Sequence, residues 1–244
     1  MMLILGAGYV GRALRAAAPG AVATHRPGAP LGPGERAFAL EDEGTWPGLP
    51  VHGADVVWTF PAAPLPLVRK FHAAALGDAH TLVVFGSTSA YAPAEPDALI
   101  TERSPLDLAQ PRVAGEEWLR EQGAAVLQLA GIWGPGREPL GWLTRGLIRN
   151  GRKRVNLIHV ADIVATVLAV QAAGLRGERI NVSDGAAESW NDIVAALAAR
   201  GALPAGFALP QQPPDASSKR VANDRLRALL PGRALRTFPD SHPG

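Results

Sequence analysis

The chain has 244 residues, 47% of them apolar and 19% charged, which suits one large α/β domain or a core with a small appended lobe. A formal net charge of +2 gives no basis for binding nucleic acid or a membrane surface. No cysteine is present, which excludes disulfides, thiolate nucleophiles and cysteine-ligated zinc.

Residues 1–5 form a wholly apolar run ending at Gly6, the pattern of a strand buried on both faces. The start of the chain lacks the basic residues of a secretory leader, and glycines interrupt it, so a leader is not expected. A helix is predicted over 9–18, stopped by Pro19-Gly20, and a second strand over 21–24. HRPGAPLGPGE then reads as loop. Strands follow at 37–40, 55–60 and 81–85, with a helix over 65–76 that tolerates Pro66 in its first turn. Residues 92–110 read as loop, 113–122 as helix, 125–132 as one strand and 141–150 as helix.

Further on, a strong helix is predicted over 161–173, with Asp162 suiting the dipole of its first turn. A strand at 179–182, a helix over 189–200 capped by Ser189 and a basic helical segment near 218–230 complete the series. Strands that alternate with helices and are apolar throughout imply a Rossmann-type, doubly wound parallel sheet covered on both faces. Ligands of such sheets bind at the carboxyl ends of the strands, where both Gly6 and Ser87 fall. The six histidines (His25, His52, His72, His80, His159 and His242) lack the i, i+4 spacing of a metal pair, so no metal site is expected. No apolar run is long enough to span a bilayer, and a cytoplasmic location is the default expectation.

LILGAGYVGRAL carries Gly6, Gly8 and Gly11 as G-x-G-x-x-G between a strand and a helix. Gly6 permits the tight turn, Gly8 admits a pyrophosphate to the backbone, and Gly11 lets the helix pack on the sheet. The amides at Tyr9 and Val10, with the helix dipole, favour phosphate. About 20 residues on, an NAD site would carry a carboxylate for the ribose hydroxyls. The sequence has Thr24-His25-Arg26 there, and a guanidinium can bind a 2′-phosphate in bidentate fashion. NADP is therefore expected, through Arg26 and more weakly Arg12, with NAD use remaining open.

GAGYVG, VVFGSTSAYA, LAGIWGPGR, NLIHVADIV and INVSDG occur in an order that resembles the short-chain dehydrogenase/reductase superfamily, in its extended and atypical branches. The closest likeness is to the NAD-dependent epimerase/dehydratase group, the nucleoside-diphosphate-sugar epimerases. KRVANDRLR is similar to the closing segment of an atypical subgroup. The resemblance implies an NAD(P)-binding core over 1–133 and 156–184 and a substrate lobe over 134–155 and 185–244. It implies a small-molecule substrate, and dimerisation by analogy with extended members. By position, Ser87 matches the active-site serine, which Ser89 or Thr88 would support. Tyr91 matches a downstream tyrosine, read as packing or pocket wall. Ser87, Ser89 and Tyr91 are thus the catalytic candidates. Pro61 and Ala62 would lie along the cofactor, while Arg112, Trp133 and His159 would face the substrate.

The family's tyrosine with a lysine four residues later is missing. The fourth residue after Tyr9 is Ala13, the fourth after Tyr91 is Glu95, and SPLDLAQPRVAGEEWL contains neither residue type. Arg112 lies near the gap but cannot act as a base. Glu102, Glu116 and Glu117 are alternative bases, although acids on helix faces ordinarily face water. Two functions stay open: an NADP-dependent oxidoreductase or epimerase with a different acid/base, and an NADP(H) sensor without catalysis. A third reading keeps the site as a scaffold for another nucleotide.

Overall fold

The computed structural model describes residues 1–204 and 206–239; His242 and the end of the segment assigned to the lobe lie outside the described residues. Seven parallel strands form the central sheet: β1 (Met2–Leu5), β2 (Val22–His25), β3 (Glu35–Ala37), β4 (Asp55–Trp58), β5 (Thr81–Ser87), β7 (Ala125–Leu129) and β10 (Arg179–Val182). Their order is β10-β7-β5-β4-β1-β2-β3, so the winding reverses between β1 and β4. Alternation along β1 explains the two covered faces. Met2 and Ile4 point into a core shared with helix α1 (Tyr9–Ala17) and helix α5 (Val160–Ala172). Leu3 and Leu5 point into a second core with α2 (Leu65–Phe71) and α3 (Pro111–Glu121). This is the doubly wound α/β sheet that the apolar strands imply.

Two small sheets sit beside it: β8 (Gly131–Trp133) pairs with β9 (Leu157–His159), and β6 (Ala98–Ile100) with β11 (Lys219–Val221). The strand predicted over 125–132 therefore breaks in two. Ala130 N–H bonds the Val182 carbonyl of the main sheet, and Gly131 N–H turns to the Asn156 carbonyl outside it. The third strand lies earlier than predicted, because Phe38 and Leu40 are buried in the core after the chain leaves the sheet. The helix predicted over 141–150 ends early as α4 (Pro139–Thr144). Gly146 takes φ +66°, and the Leu147 N–H returns to the Trp142 carbonyl, a left-handed close that glycine favours. The helix predicted near 218–230 is β11 followed by α7 (Asp224–Leu229).

A third core joins Trp133, Leu143 and Leu157 to Trp190, Ile193 and Leu197 of α6 (Trp190–Ala199), with Leu203, Leu209 and Phe238. Ser189 caps α6, and Asp192 bonds back to its amide in a capping box. Part of the segment expected in the lobe lies elsewhere: Leu226 of α7 is fully buried in the Rossmann core, with Leu229, Leu230 and Leu235 packed against it. Asp162, wholly buried, fixes this return. It accepts from the Arg233 guanidinium at 2.7 and 2.9 Å and from the Arg236 amide at 2.9 Å.

Asp184, just beyond β10, carries a pH dependence. Burial pushes its carboxyl up to about 7, with Glu188 and Asp162 adding to the effect against the Ala186 amide and Arg227. In the unfolded chain it titrates near 3.9, so between these values the folded state holds the extra proton. The contribution of Asp184 to stability should therefore fall as pH rises from about 4 to about 7, by on the order of 2–4 kcal/mol, and then level off. Denaturant titrations across that range should show the wild type losing stability relative to Asp184→Asn.

Candidate functional site

The strand ends converge on one groove. The β1–α1 turn places Gly6, Gly8 and Gly11 there. Gly6 has φ +100°, and its N–H donates to the Thr24 hydroxyl at 2.9 Å. The Thr59 hydroxyl, at the end of β4, donates to the Leu5 and Gly6 carbonyls at 3.0 and 2.8 Å. A Cβ on Gly11 would lie 2.2 Å from the Gly6 carbonyl oxygen, so this glycine seats the helix on the turn. Gly8 differs. Its φ is an ordinary −70°, and a Cβ there would meet nothing within 4 Å. No intramolecular contact requires glycine at position 8, and the main chain there is open to approach. Helix α1 has no side-chain cap and no acidic residue in its first turn, leaving its leading amides available to an anion. These are the features a dinucleotide's phosphates need.

Two cavities meet at this turn, sharing Gly8, Phe60 and Pro61. One, about 460 Å³, runs past Thr24, His25 and Arg26 to Glu41. The other, about 450 Å³, runs past Tyr9, Val10 and Gly11 to Ser87, Ser89, Arg112, Glu116 and Arg137. Together they make an elongated cleft with the glycine turn at its middle. A third cavity, lined by Ser89, Tyr91 and Lys219 among others, adjoins its far end.

The hydroxyl shelf is a network. Ser87 and Ser89 hydroxyls are 3.1 Å apart, and the Ser89 amide donates to Ser87 Oγ at 3.3 Å. Arg112 Nη2 donates to Ser89 Oγ at 2.9 Å, while its Nη1 donates to Glu116 Oε1 at 2.9 Å. Gln110 Nε2 bonds the Ser89 carbonyl at 3.1 Å. Arg137 lies 5.7 Å above the Tyr9 ring at the opposite wall, within cation–π range. Among the described residues no three His, Asp or Glu side chains gather into a metal-binding group. No helix of the described residues is long and apolar enough to cross a membrane.

No family model matches the chain, and no curated protein is significantly similar to it in sequence. Solved structures are similar along nearly its whole length. One is a short-chain dehydrogenase/reductase superfamily protein from Agrobacterium tumefaciens with bound NAD, 20% identical, covering 97% of this chain and 93% of that one, TM-score 0.75. Another is MoeE5 in complex with UDP-glucuronic acid and NAD, 20% identical over 97% and 94% of the two chains, TM-score 0.75. A third is the human epimerase family protein SDR39U1 with NADPH, 17% identical over 94% of each, TM-score 0.68. The chain has the Rossmann-type fold of these structures.

Within this fold, some residues singled out from sequence stand away from the glycine turn and the serine shelf. Tyr91 is buried, with its hydroxyl 2.5 Å from Asn181 Oδ1. Burial drives its phenol well above the ordinary range, so it is corrected from the catalytic group to a packing residue. Trp133 is buried against Phe238 and His159 in the third hydrophobic core. His159 caps α5, its Nδ1 accepting the Ala161 amide at 3.1 Å, and burial lowers its pKa so that it favours the neutral form that can accept. Ala62 is buried with its carbonyl against Gly115 of α3, whereas its neighbour Pro61 lines both cavities. Arg12 turns to the Ala7 carbonyl at 3.4 Å. Thr24, Thr59 and Gly86 were not legible as site residues, because their roles depend on partners distant in sequence.

Glu102, Glu116 and Glu117 separate clearly. Glu102 accepts the Asn181 amide of β10 at 3.0 Å, and Glu117 is ion-paired with Arg120 and Arg179. Glu116 does not face water: it is 2% exposed and lines the cleft.

Proposed function

We propose that the chain is an NADP-dependent oxidoreductase or epimerase acting on a nucleotide sugar or a related hydroxylated or carbonyl metabolite. The observation that carries this reading is the single cleft that joins the open, uncapped glycine turn to the paired Ser87 and Ser89 hydroxyls. Gly6, Gly8, Gly11 and the amides of Tyr9 and Val10 hold the pyrophosphate, and Pro61 supports the dinucleotide along the groove. Bound there, a nicotinamide supplies hydride exchange. Ser87 hydrogen-bonds the substrate oxygen on the reacting carbon, Ser89 fixes the Ser87 hydroxyl, and Arg112 fixes Ser89. The nucleotide-sugar class is supported by MoeE5, whose structure holds UDP-glucuronic acid beside NAD.

Arg26, at the mouth of the outer cavity, is the 2′-phosphate contact. Arg26→Asp should weaken NADP binding by roughly 100-fold, from the loss of a charge-assisted pair and the added repulsion, and leave NAD binding nearly unchanged. Calorimetric titration with both cofactors decides this; equal losses would refute the assignment. The function itself is tested by following nicotinamide absorbance with NADP⁺ and a panel of UDP-sugars and sugar alcohols. Substrate-dependent reduction is expected of an oxidoreductase, and a changed sugar configuration without net reduction of an epimerase.

The second reading, a non-catalytic NADP(H) sensor, draws support from the missing tyrosine–lysine pair and the burial of the Tyr91 hydroxyl. Unequal affinities for oxidised and reduced cofactor, with no hydride exchange across the panel, would favour it.

A further inference from the structure

Glu116 is a buried carboxylic acid in the wall of the proposed reaction chamber, with a built setting. Helix α3 carries Arg112 and Glu116 one turn apart on its inward face. A Cβ on Gly86 would lie 2.6 Å from Glu116 Oε2 and 2.4 Å from Gln128 Oε1. The glycine immediately before Ser87 thus leaves room for this carboxyl beside the strand that carries the serine shelf. Arg112 ties the same carboxyl to Ser89, donating to each at 2.9 Å. On the far side, Gln128 Nε2 donates to Glu116 Oε2 at 3.2 Å, and the buried Gln128 Oε1 has no hydrogen-bond partner. An amide in that place serves both protonation states. It donates to a carboxylate as drawn, and after a flip of its O and N it accepts from a carboxylic acid.

We propose that Glu116 is the acid/base of this cleft, taking the proton of the substrate hydroxyl held at Ser87 and returning it in the reverse direction. The inference rests on the function proposed above. In the oxidising direction the substrate's O–H bond breaks and the proton passes to a Glu116 carboxylate oxygen. The carbon–oxygen bond becomes a carbonyl as the hydride leaves carbon for the oxidised nicotinamide dinucleotide. Arg112 cannot carry the proton, since a guanidinium stays charged; it holds the serine and the carboxylate in place.

Among the described residues, the charged groups acting on Glu116 are Arg112 on its own helix and Arg179 on β10, while Gly86 of β5 and Gln128 of β7 lie against it. Burial outweighs the lowering by Arg112, Gln128 and Arg179, so the carboxyl sits above the usual carboxylate range, toward the pH at which a base is useful.

Two readouts test the proposal. In infrared difference spectra of the cofactor-free protein, a protonated-carboxyl component that titrates above the ordinary carboxylates should persist in Asp184→Asn and be lost in Glu116→Gln. With NADP⁺ and UDP-glucose as probes, Glu116→Gln should cut the rate of nicotinamide reduction about 100-fold or more and remove the acidic limb of the pH profile. Glu116→Asp should keep that limb. Glutamine preserves partners for Arg112 and Gln128, so a purely structural Glu116 would leave the profile intact and overturn the proposal. Wild-type protein that exchanges no hydride would sink the proposed function alone. The infrared band then decides the residue: one that responds to added UDP-glucose keeps Glu116 as the ligand-facing proton site, and an absent or indifferent band overturns it.

Discussion

Valine at position 8 should all but abolish binding of nicotinamide dinucleotides while the protein stays folded. Gly8 has φ −70° and ψ −162°, an extended conformation that a β-branched residue accepts, and a Cβ there would meet no atom within 4 Å. The fold therefore gives the valine no reason to unfold the chain. A ligand does meet it. The branched side chain occupies the space through which phosphate oxygens reach the leading amides of α1. Losing two hydrogen bonds to a charged group costs on the order of 3 kcal/mol, or about 100-fold in Kd. Calorimetry with NADP⁺ and NAD⁺, alongside a thermal melt, measures both halves. A valine variant that melts like wild type and still binds with wild-type affinity would remove the glycine turn from the site.

Legibility from sequence followed the range of the interactions. The glycine turn depends on residues within one strand–turn–helix unit, so its spacing announced it, and Gly6 and Gly11 show the conformational and packing needs that spacing implies. Ser87 and Ser89 could be placed because β5 is an unbroken apolar run whose end is plain. The errors arise where a distant partner decides. Tyr91 stands in a run of hydroxyls that suggests a catalytic group, but Asn181, ninety residues on, takes its hydroxyl into the core. Glu116 is one of two adjacent acids on an amphipathic helix, and its pattern alone suggested solvent. The pair divides: Glu117 meets Arg120 and Arg179, while Glu116 turns inward to Arg112 and Gln128. The glycine gap at position 86 makes room for it, and which helix side chain packs over a strand glycine is not written in the local sequence.

Gly115→Ala should destabilise the protein more than an alanine in a helix has any local reason to. In isolation the change would favour helix α3 by up to about 1 kcal/mol. Here a Cβ would lie 1.8 Å from the Ala62 carbonyl oxygen and 2.9 Å from its carbon, both main-chain atoms that cannot rotate aside. Either α3 or the segment after β4 has to move. Overpacking of this kind costs about 3 kcal/mol, so the net loss is about 2 kcal/mol, or a fall in Tm of roughly 4–8 °C for a chain of this size. Gly77→Ala is the control: its φ is −59° and a Cβ there meets nothing within 4 Å, so it should be neutral or mildly stabilising. The displacement also has a functional consequence, because Gly115 stands between Arg112 and Glu116 on α3 and presses on the residue after Pro61. A helix pushed off that segment carries the guanidinium away from Ser89. Hydride exchange in Gly115→Ala should thus fall further than the loss of folded protein explains, with cofactor affinity affected less. A variant with wild-type stability would mean that the close approach of α3 to the β4 segment does not hold in solution.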